Sequence, residues 1–476
     1  MIAAALLVLL LPPEGLPTAR GGSLAERSWV SEVVYFNPTD QEGDLRVDFR
    51  SHDGTLVSTP PVAVAGRESG EILVGTTLPA PFSGSGTLVS SFPLAAVLRQ
   101  EGDAAAPTAA MVYTSYLETQ AGDGGFFLPW VTKGAAVRTL LGIQNLEEGE
   151  VVLSLTFHPA ASASPPIAVD LPTPVPALAS AVVDLADVTE LPDGFSGSLV
   201  IRGRQSSSAT AASVVAAAQA LFTSGRQAYA YDGTGVPASR LHLPDAVCTV
   251  SKGITTSSTF YLQNAGVGDA TFSVDYFYPV RVGKRTVVKR ATVKTRTVAP
   301  GRMTSVKTCA TRAVKGKKGV VAVVSSADAD GNPVPAAALD VVSVSGTGVV
   351  SAYAAAPSPV AGPDGRYRTV LPGVEWARAT PGYRTTLTVM NASPRLGTAP
   401  GKKVTLTYFD GGGTSKVATA TCRTSLVSNP SSARALPAGA DFRGGVVVES
   451  SFPFVAAARV VKLGTKPSDG FQGLGW

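Results

Sequence analysis

A strand-like stretch ending in asparagine occurs four times in this chain, and that recurrence limits the fold more than any other feature. It reads VVYFN over Val33 to Asn37, LGIQN over Leu141 to Asn145, FYLQN over Phe260 to Asn264 and LTVMN over Leu387 to Asn391. Successive asparagines lie 108, 119 and 127 residues apart. A second alternating stretch follows each one, at Leu45 to Phe49, Val151 to Phe157, Ala270 to Phe277 and Val404 to Phe409. Apolar residues at every second position, bounded by Asn and Gly turns, are the pattern of half-buried strands.

A third landmark closes each unit. Gly84, Gly197 and Gly444 each open a β-branched stretch, and Gly319 is matched to them in the third unit; these lie 47, 52, 53 and 55 residues after their asparagines. Leu128-Pro129 and Leu371-Pro372 precede Trp130 and Trp376, each 15 residues before its Asn, and Leu243-Pro244 takes that place in the third unit. Trp29 lies only 8 before Asn37, which reads as an abbreviated or differently paired first unit. One large aromatic on an alternating strand is expected to plug a core; a sugar-stacking platform is the sharper alternative.

About seven short strands per hundred residues, with frequent Gly and Pro turns, predict an all-β chain of four tandem immunoglobulin-like, Greek-key β-sandwich domains in an elongated array. The expected divisions are an apolar segment and linker over 1–23, repeats over 24–115, 124–232, 240–356 and 368–466, and a tail over 467–476. The run Ala209 to Ala218 has helical propensity, but its place in the repeat assigns it to a strand. Residues 1–11 match the apolar part of a secretion signal without its basic flank; retained, they would serve as a donor strand.

With the landmarks aligned, the unit resembles immunoglobulin-like repeats of bacterial secreted and cell-surface proteins. The resemblance rests on LPDGFSGS over Leu191 to Ser198, with the Gln-Asn endings at Asn145 and Asn264, and the third unit departs from it at Gly316 to Gly319. It implies a structural or adhesive role with no catalytic residues to carry over.

Forty basic against 35 acidic residues give a net charge of only +5, so the position of charge matters more than its sum. Thirteen basic and no acidic residues lie between Arg281 and Lys318, among them Lys284, Arg285, Lys289, Arg290, Lys294, Arg296, Lys315, Lys317 and Lys318. An acidic surface polysaccharide or the acidic face of a neighbouring protein would fit that run. Edge protection by lysine is the plainer account, and nucleic acid is disfavoured because no aromatic platform is interleaved.

Of three cysteines, Cys248 and Cys309 fall in one unit as a candidate disulfide, with two separately buried thiols as the alternative, and Cys422 is left over. Asp328 to Asn332 reads as a hairpin turn, because the later ligand positions of a calcium loop are absent. His52, His158 and His242 fall in three different units, and no nucleophile, metal or phosphate motif occurs. The expectation is a non-enzymatic, cofactor-free, extracellular or cell-surface bacterial protein: a self-associating structural subunit, with an adhesin-like or carbohydrate-binding array as the alternative.

Overall fold

A computed structural model describes residues 3–7, 29–74, 78, 82–102, 111–114, 125–160, 164–208, 210–222, 228–251, 253–283, 285–345, 350–377, 382–393, 402–428, 441–462, 468–472 and 474–475. The described residues are all-β, and their six sheets form sandwich-like groups in tandem along the chain. It divides into two compact units, one of residues 1–66, 71–237 and 301–303, the other of 67–70, 238–300 and 304–476.

The second repeat shows the plan. Its eight main strands run Phe126–Lys133, Val137–Asn145, Val151–Pro159, Ile167–Asp170, Ser180–Asp184, Phe195–Gln205, Val214–Phe222 and Ala228–Asp232. One layer pairs them in the order fourth, third, sixth, first; the other pairs fifth, second, seventh, eighth. The third and fourth repeats keep the same order. Two immunoglobulin pairs are present, second with fifth and third with sixth, while the seventh strand lies beside the second instead of the sixth.

Leu-Pro marks a bulge in the first strand, which stays paired with the sixth strand on both sides of it. Phe126–Lys133 pairs with the sixth strand, shifts register between Leu128 and Val131, and reaches the second strand at Lys133 opposite Arg138. Tyr367–Trp376 does the same, with its shift between Leu371 and Val374 and Trp376 opposite Arg384. Proline has no N–H to give to a ladder, so the break falls where it sits. In the third repeat the break is complete: Arg240–Leu243 pairs in one layer and Cys248–Ser251 in the other.

In the first repeat, Ala3–Leu7 occupies the first-strand place, antiparallel to Gly84–Ser90. Trp29–Phe36 begins directly as the second strand, opposite Ala95–Gly102. The unusual spacing of Trp29 therefore reflects a different pairing.

Register corrects two sequence matches. A Cβ on Gly84, Gly197 or Gly444 would stand 2.0, 2.1 or 1.9 Å from the carbonyl oxygen of Arg50, His158 or Phe409, so the sixth strand enters against the third with no room for a side chain. Gly319 makes no such approach; its φ of +65° places it in a turn. Continuing the pairing of Phe277 with Val321 by one step makes Val320 the structural counterpart. The two tryptophans are also not equivalent. Aligned on Leu128 and Leu371, Trp376 matches Lys133 and Trp130 matches Gly373; a longer link between the first two strands of the fourth repeat restores the equal count to Asn.

Each core draws on both layers. In the first repeat Val33 and Tyr35 meet Leu45, Val47, Phe49 and Leu88; in the third, Phe260 and Leu262 meet Phe272, Val274, Tyr276 and Val324. A buried Phe in such a layer stabilises by roughly 1.5–3 kcal/mol. The alanine run is strand from Ala211 on, as expected, with Ala209 outside the described residues: Ala211–Ala212 pairs with the sixth strand, and Val214–Phe222 lies between the second and eighth. Ala216, Ala217 and Ala218 are all buried, so the tertiary ladder overrides helical propensity.

Candidate functional site

The four asparagines are structural clamps. Asn37, Asn145, Asn264 and Asn391 are at most 2% exposed. Each Oδ1 accepts the N–H two residues on, from Thr39, Glu147, Gly266 and Ser393. Each Nδ2 donates to the segment entering the fifth strand, reaching the carbonyls of Ala65, Val175, Val298 and Arg423. Asparagine has both a donor and an acceptor within one short amide, which the turn and the returning segment require together. Sequence spacing located these residues but not their bonds.

Trp130 and Trp376 are half-buried, so neither is the fully enclosed core plug expected of them. Trp130 stacks on Tyr229 with ring centroids 6.0 Å apart and donates its indole N–H to Ser196 Oγ at 3.1 Å. Trp376 lies under the Arg384 guanidinium at 4.9 Å.

Cys248 and Cys309 form a disulfide across a sequence separation of 61, closing a loop that stabilises by about 2–4 kcal/mol. It ties the displaced half of the broken first strand to the short 3₁₀ turn Thr308–Ala310. Cys422 is free and buried, and burial pushes its thiol up to about 12, which keeps it unreactive at neutral pH.

The basic run is spread over a hairpin, the strand Met303–Lys307, the 3₁₀ turn after it and the turn at Lys315 to Lys318. Thr271–Val282 pairs with Arg285–Lys294, which is the edge strand of its sheet. Lys289, Lys294, Arg296, Lys315, Lys317 and Lys318 are exposed, as are Arg281 and Arg290. Arg290 forks onto Asp275 at 2.9 and 2.7 Å, while Arg281 donates to the carbonyl of Gly283 at 3.3 Å. Lys284 lies outside the described residues. Lys289 pairs with Tyr278, and the Lys315 to Lys318 turn is held elsewhere, the Gly316 N–H donating to the Cys248 carbonyl at 2.8 Å. Lysines along such an edge block pairing with another sheet.

Asp340 is the most perturbed acid. It is fully buried; Tyr353 donates to its Oδ2 at 2.9 Å and Ser258 at 3.1 Å. Burial pushes its carboxyl up to about 8, outweighing those hydrogen bonds, so it carries a proton at neutral pH. Tyr353 also accepts the Asp245 N–H at 3.2 Å, and Asp245 ion-pairs with Arg459 at 3.3 Å. These groups join core to surface but set no nucleophile beside a base.

Neighbouring repeats within each unit meet through equivalent positions. In the first unit Gln144 Nε2 reaches Thr87 Oγ1 at 3.4 Å, and Ser85 Oγ reaches the Leu178 carbonyl at 3.5 Å. His52 bridges the Ser180 carbonyl at 2.7 Å and Ser83 Oγ at 2.8 Å. A groove of about 330 Å³ opens beside it, lined by His52, Leu140, Pro174, Pro176, Asp184 and Asp187 among others. In the second unit the same positions are apolar: Val321 and Val323 pack with Phe277 against Met390, Ala392 and Val455.

The Asp328 segment is a turn, its Oδ1 accepting the N–H of Asp330 and Asn332. Among the described residues, no group of three His, Cys, Asp or Glu side chains is placed to hold a metal. No protein-family model matches the chain, and no curated protein matches it.

Proposed function

We propose that this chain is a non-enzymatic extracellular structural protein of a bacterium, the subunit of a surface filament, sheath, layer or stalk, built from immunoglobulin-like sandwiches. One observation carries the reading: the side chains that recur from repeat to repeat are spent on holding strands. The asparagines clamp turns, three of the matched glycines admit the third strand, and Leu-Pro sets a bulge in the first strand of two repeats. A catalytic or ligand-binding family would be expected to reserve some recurring polar residues for an open site. The Cys248–Cys309 disulfide suits an oxidising compartment outside the cytosol.

The alternative is an adhesin-like array that binds carbohydrate, and the exposed basic residues of the hairpin and of the Lys315 to Lys318 turn favour it. There an acidic surface polysaccharide would pair with Lys289, Lys294 and Lys315 to Lys318. Microscopy of native material, with intact mass and N-terminal sequencing, separates the two. Regular filaments or lattices support the structural role. Monodisperse chains that bind a polyanion, with affinity falling as salt rises, overturn it in favour of adhesion.

A further inference from the structure

The first-strand place in the first repeat is built to the same register as in the other three, yet the segment that joins it to the second strand is far longer. Leu128 lies opposite Leu199, Leu243 opposite Ala322 and Leu371 opposite Val446, each two residues beyond the point where the sixth strand enters. Leu7 lies opposite Gly86, two residues beyond Gly84, at the same register position. Leu128, Leu243 and Leu371 are all fully buried. The place therefore selects an apolar strand by register.

The covalent connection differs. Residues 134–136 join the first and second strands of the second repeat, and 377–382 join those of the fourth. In the first repeat residues 8–28 separate Ala3–Leu7 from Trp29–Phe36. A link of three to six residues must open out before its strand can leave its own sandwich. One of about 21 residues reaches at most roughly 70 Å when extended, which includes the same place on an adjacent molecule. Doubling a loop adds only about 0.6 kcal/mol of closure cost, so length alone does not exclude pairing within the chain. It is the exchanged strand's identical ladder that makes the two arrangements close in energy, with local concentration deciding between them.

The edges are also permissive. Neither Ala3–Leu7 nor Gly84–Ser90 contains a charged residue, whereas the edge strand Arg285–Lys294 carries basic residues that oppose addition of another strand. We propose that the first repeat exchanges this strand between copies: Ala3–Leu7 of one chain pairs with Gly84–Ser90 of a second copy, joining subunits by strand addition. This rests on the structural-subunit reading and names its contact.

Cross-linking at a register pair tests it. Ala4 lies opposite Val89, so full-length A4C and V89C chains are mixed at assembly concentration and oxidised mildly. The expected product is a disulfide-linked heterodimer, identified by intact mass and peptide mapping at the two substituted positions. Adding Leu7→Lys to the A4C chain is expected to lower its yield about tenfold, the equivalent of about 1.4 kcal/mol. Closure of an A4C/V89C double variant wholly within single chains, with no heterodimer from the mixture, overturns the exchange. Native protein beginning beyond residue 7 overturns it as well. Filaments that form without the cross-link would leave the structural role standing and remove only this contact; a cross-linked dimer without higher assembly would retain the contact and remove the filament.

Discussion

The contact between the first two repeats and the contact between the last two place matching residues against each other with opposite chemistry. Gln144 and Met390 each precede their Asn and pair with Ser180 and Ser425, so they hold one position. Ser85 and Thr87 correspond to Val321 and Val323 on the sixth strand. The first contact is made by hydroxyls, an amide and His52; the second centres on an apolar cluster, flanked by the Asp245–Arg459 pair and by hydrogen bonds from Arg423 to the Thr286 carbonyl and from Ser425 to the Gly319 carbonyl. The position fixes geometry, and the side chain sets its strength. Apolar burial is non-directional and gains free energy with area. A polar contact mainly replaces hydrogen bonds that water would supply, so its net contribution is small.

The largest expected effect breaks the apolar side. Met390→Asp places an unpaired carboxylate among Val321, Val323 and Val455 and is expected to cost about 4 kcal/mol, measured by chemical unfolding with limited proteolysis to locate the loosened repeats. A loss below about 1 kcal/mol would mean that the cluster contributes little.

Loss of a clamp should be indifferent to which contact lies nearby. Asn145→Ala and Asn264→Ala each remove donors from buried carbonyls and are expected to cost about 2–3 kcal/mol by equilibrium unfolding. Markedly unequal losses would show that docking supports one of the clamps.

The second unit should also respond to pH. Asp340, raised to about 8 by burial, binds its proton in the folded state while the unfolded carboxyl has already lost it. Its stabilising contribution is therefore complete below about 4 and is lost as pH rises toward 8. His242 acts oppositely, since burial lowers it to about 4 and its contribution is lost as pH falls from about 6.5 toward 4. Asp340→Asn is expected to remove the alkaline decline and leave the acid one, read from melting temperature between pH 4 and 8. An unchanged profile would mean that Asp340 is ionised when folded.

The smallest effect sharpens the comparison directly. Gln144→Met gives the first contact the side chain of the second, and stability is expected to change by less than about 1 kcal/mol because Thr87 and Ser85 still face it. Restoring the apolar partners with Ser85→Val and Thr87→Val should then make the three changes more stabilising together than their sum, as expected for side chains in contact.

Much of the local plan was legible. The alternating stretches are strands, the Asp328 segment is a turn, and the Ala209 to Ala218 run follows its repeat position over its propensity. Equal counting failed where insertions compensated one another. Trp130 and Trp376 share a spacing to Asn, but a longer link shifts one against the other; Gly319 sits one residue from the position that Val320 occupies.

By itself, the sequence determined that the chain is all-β, that a strand ending in asparagine recurs four times, and that positive charge gathers in one unit. Those properties follow from period-2 burial and from the bonding capacity of single residues, both of which act over a few neighbours. Tertiary structure decided which strand lies opposite which, that residues 3–7 take the first-strand place, and that equivalent outer faces are polar in one contact and apolar in the other. Alternation tells a strand which residues to bury, but choosing the strand that buries them depends on segments tens of residues away.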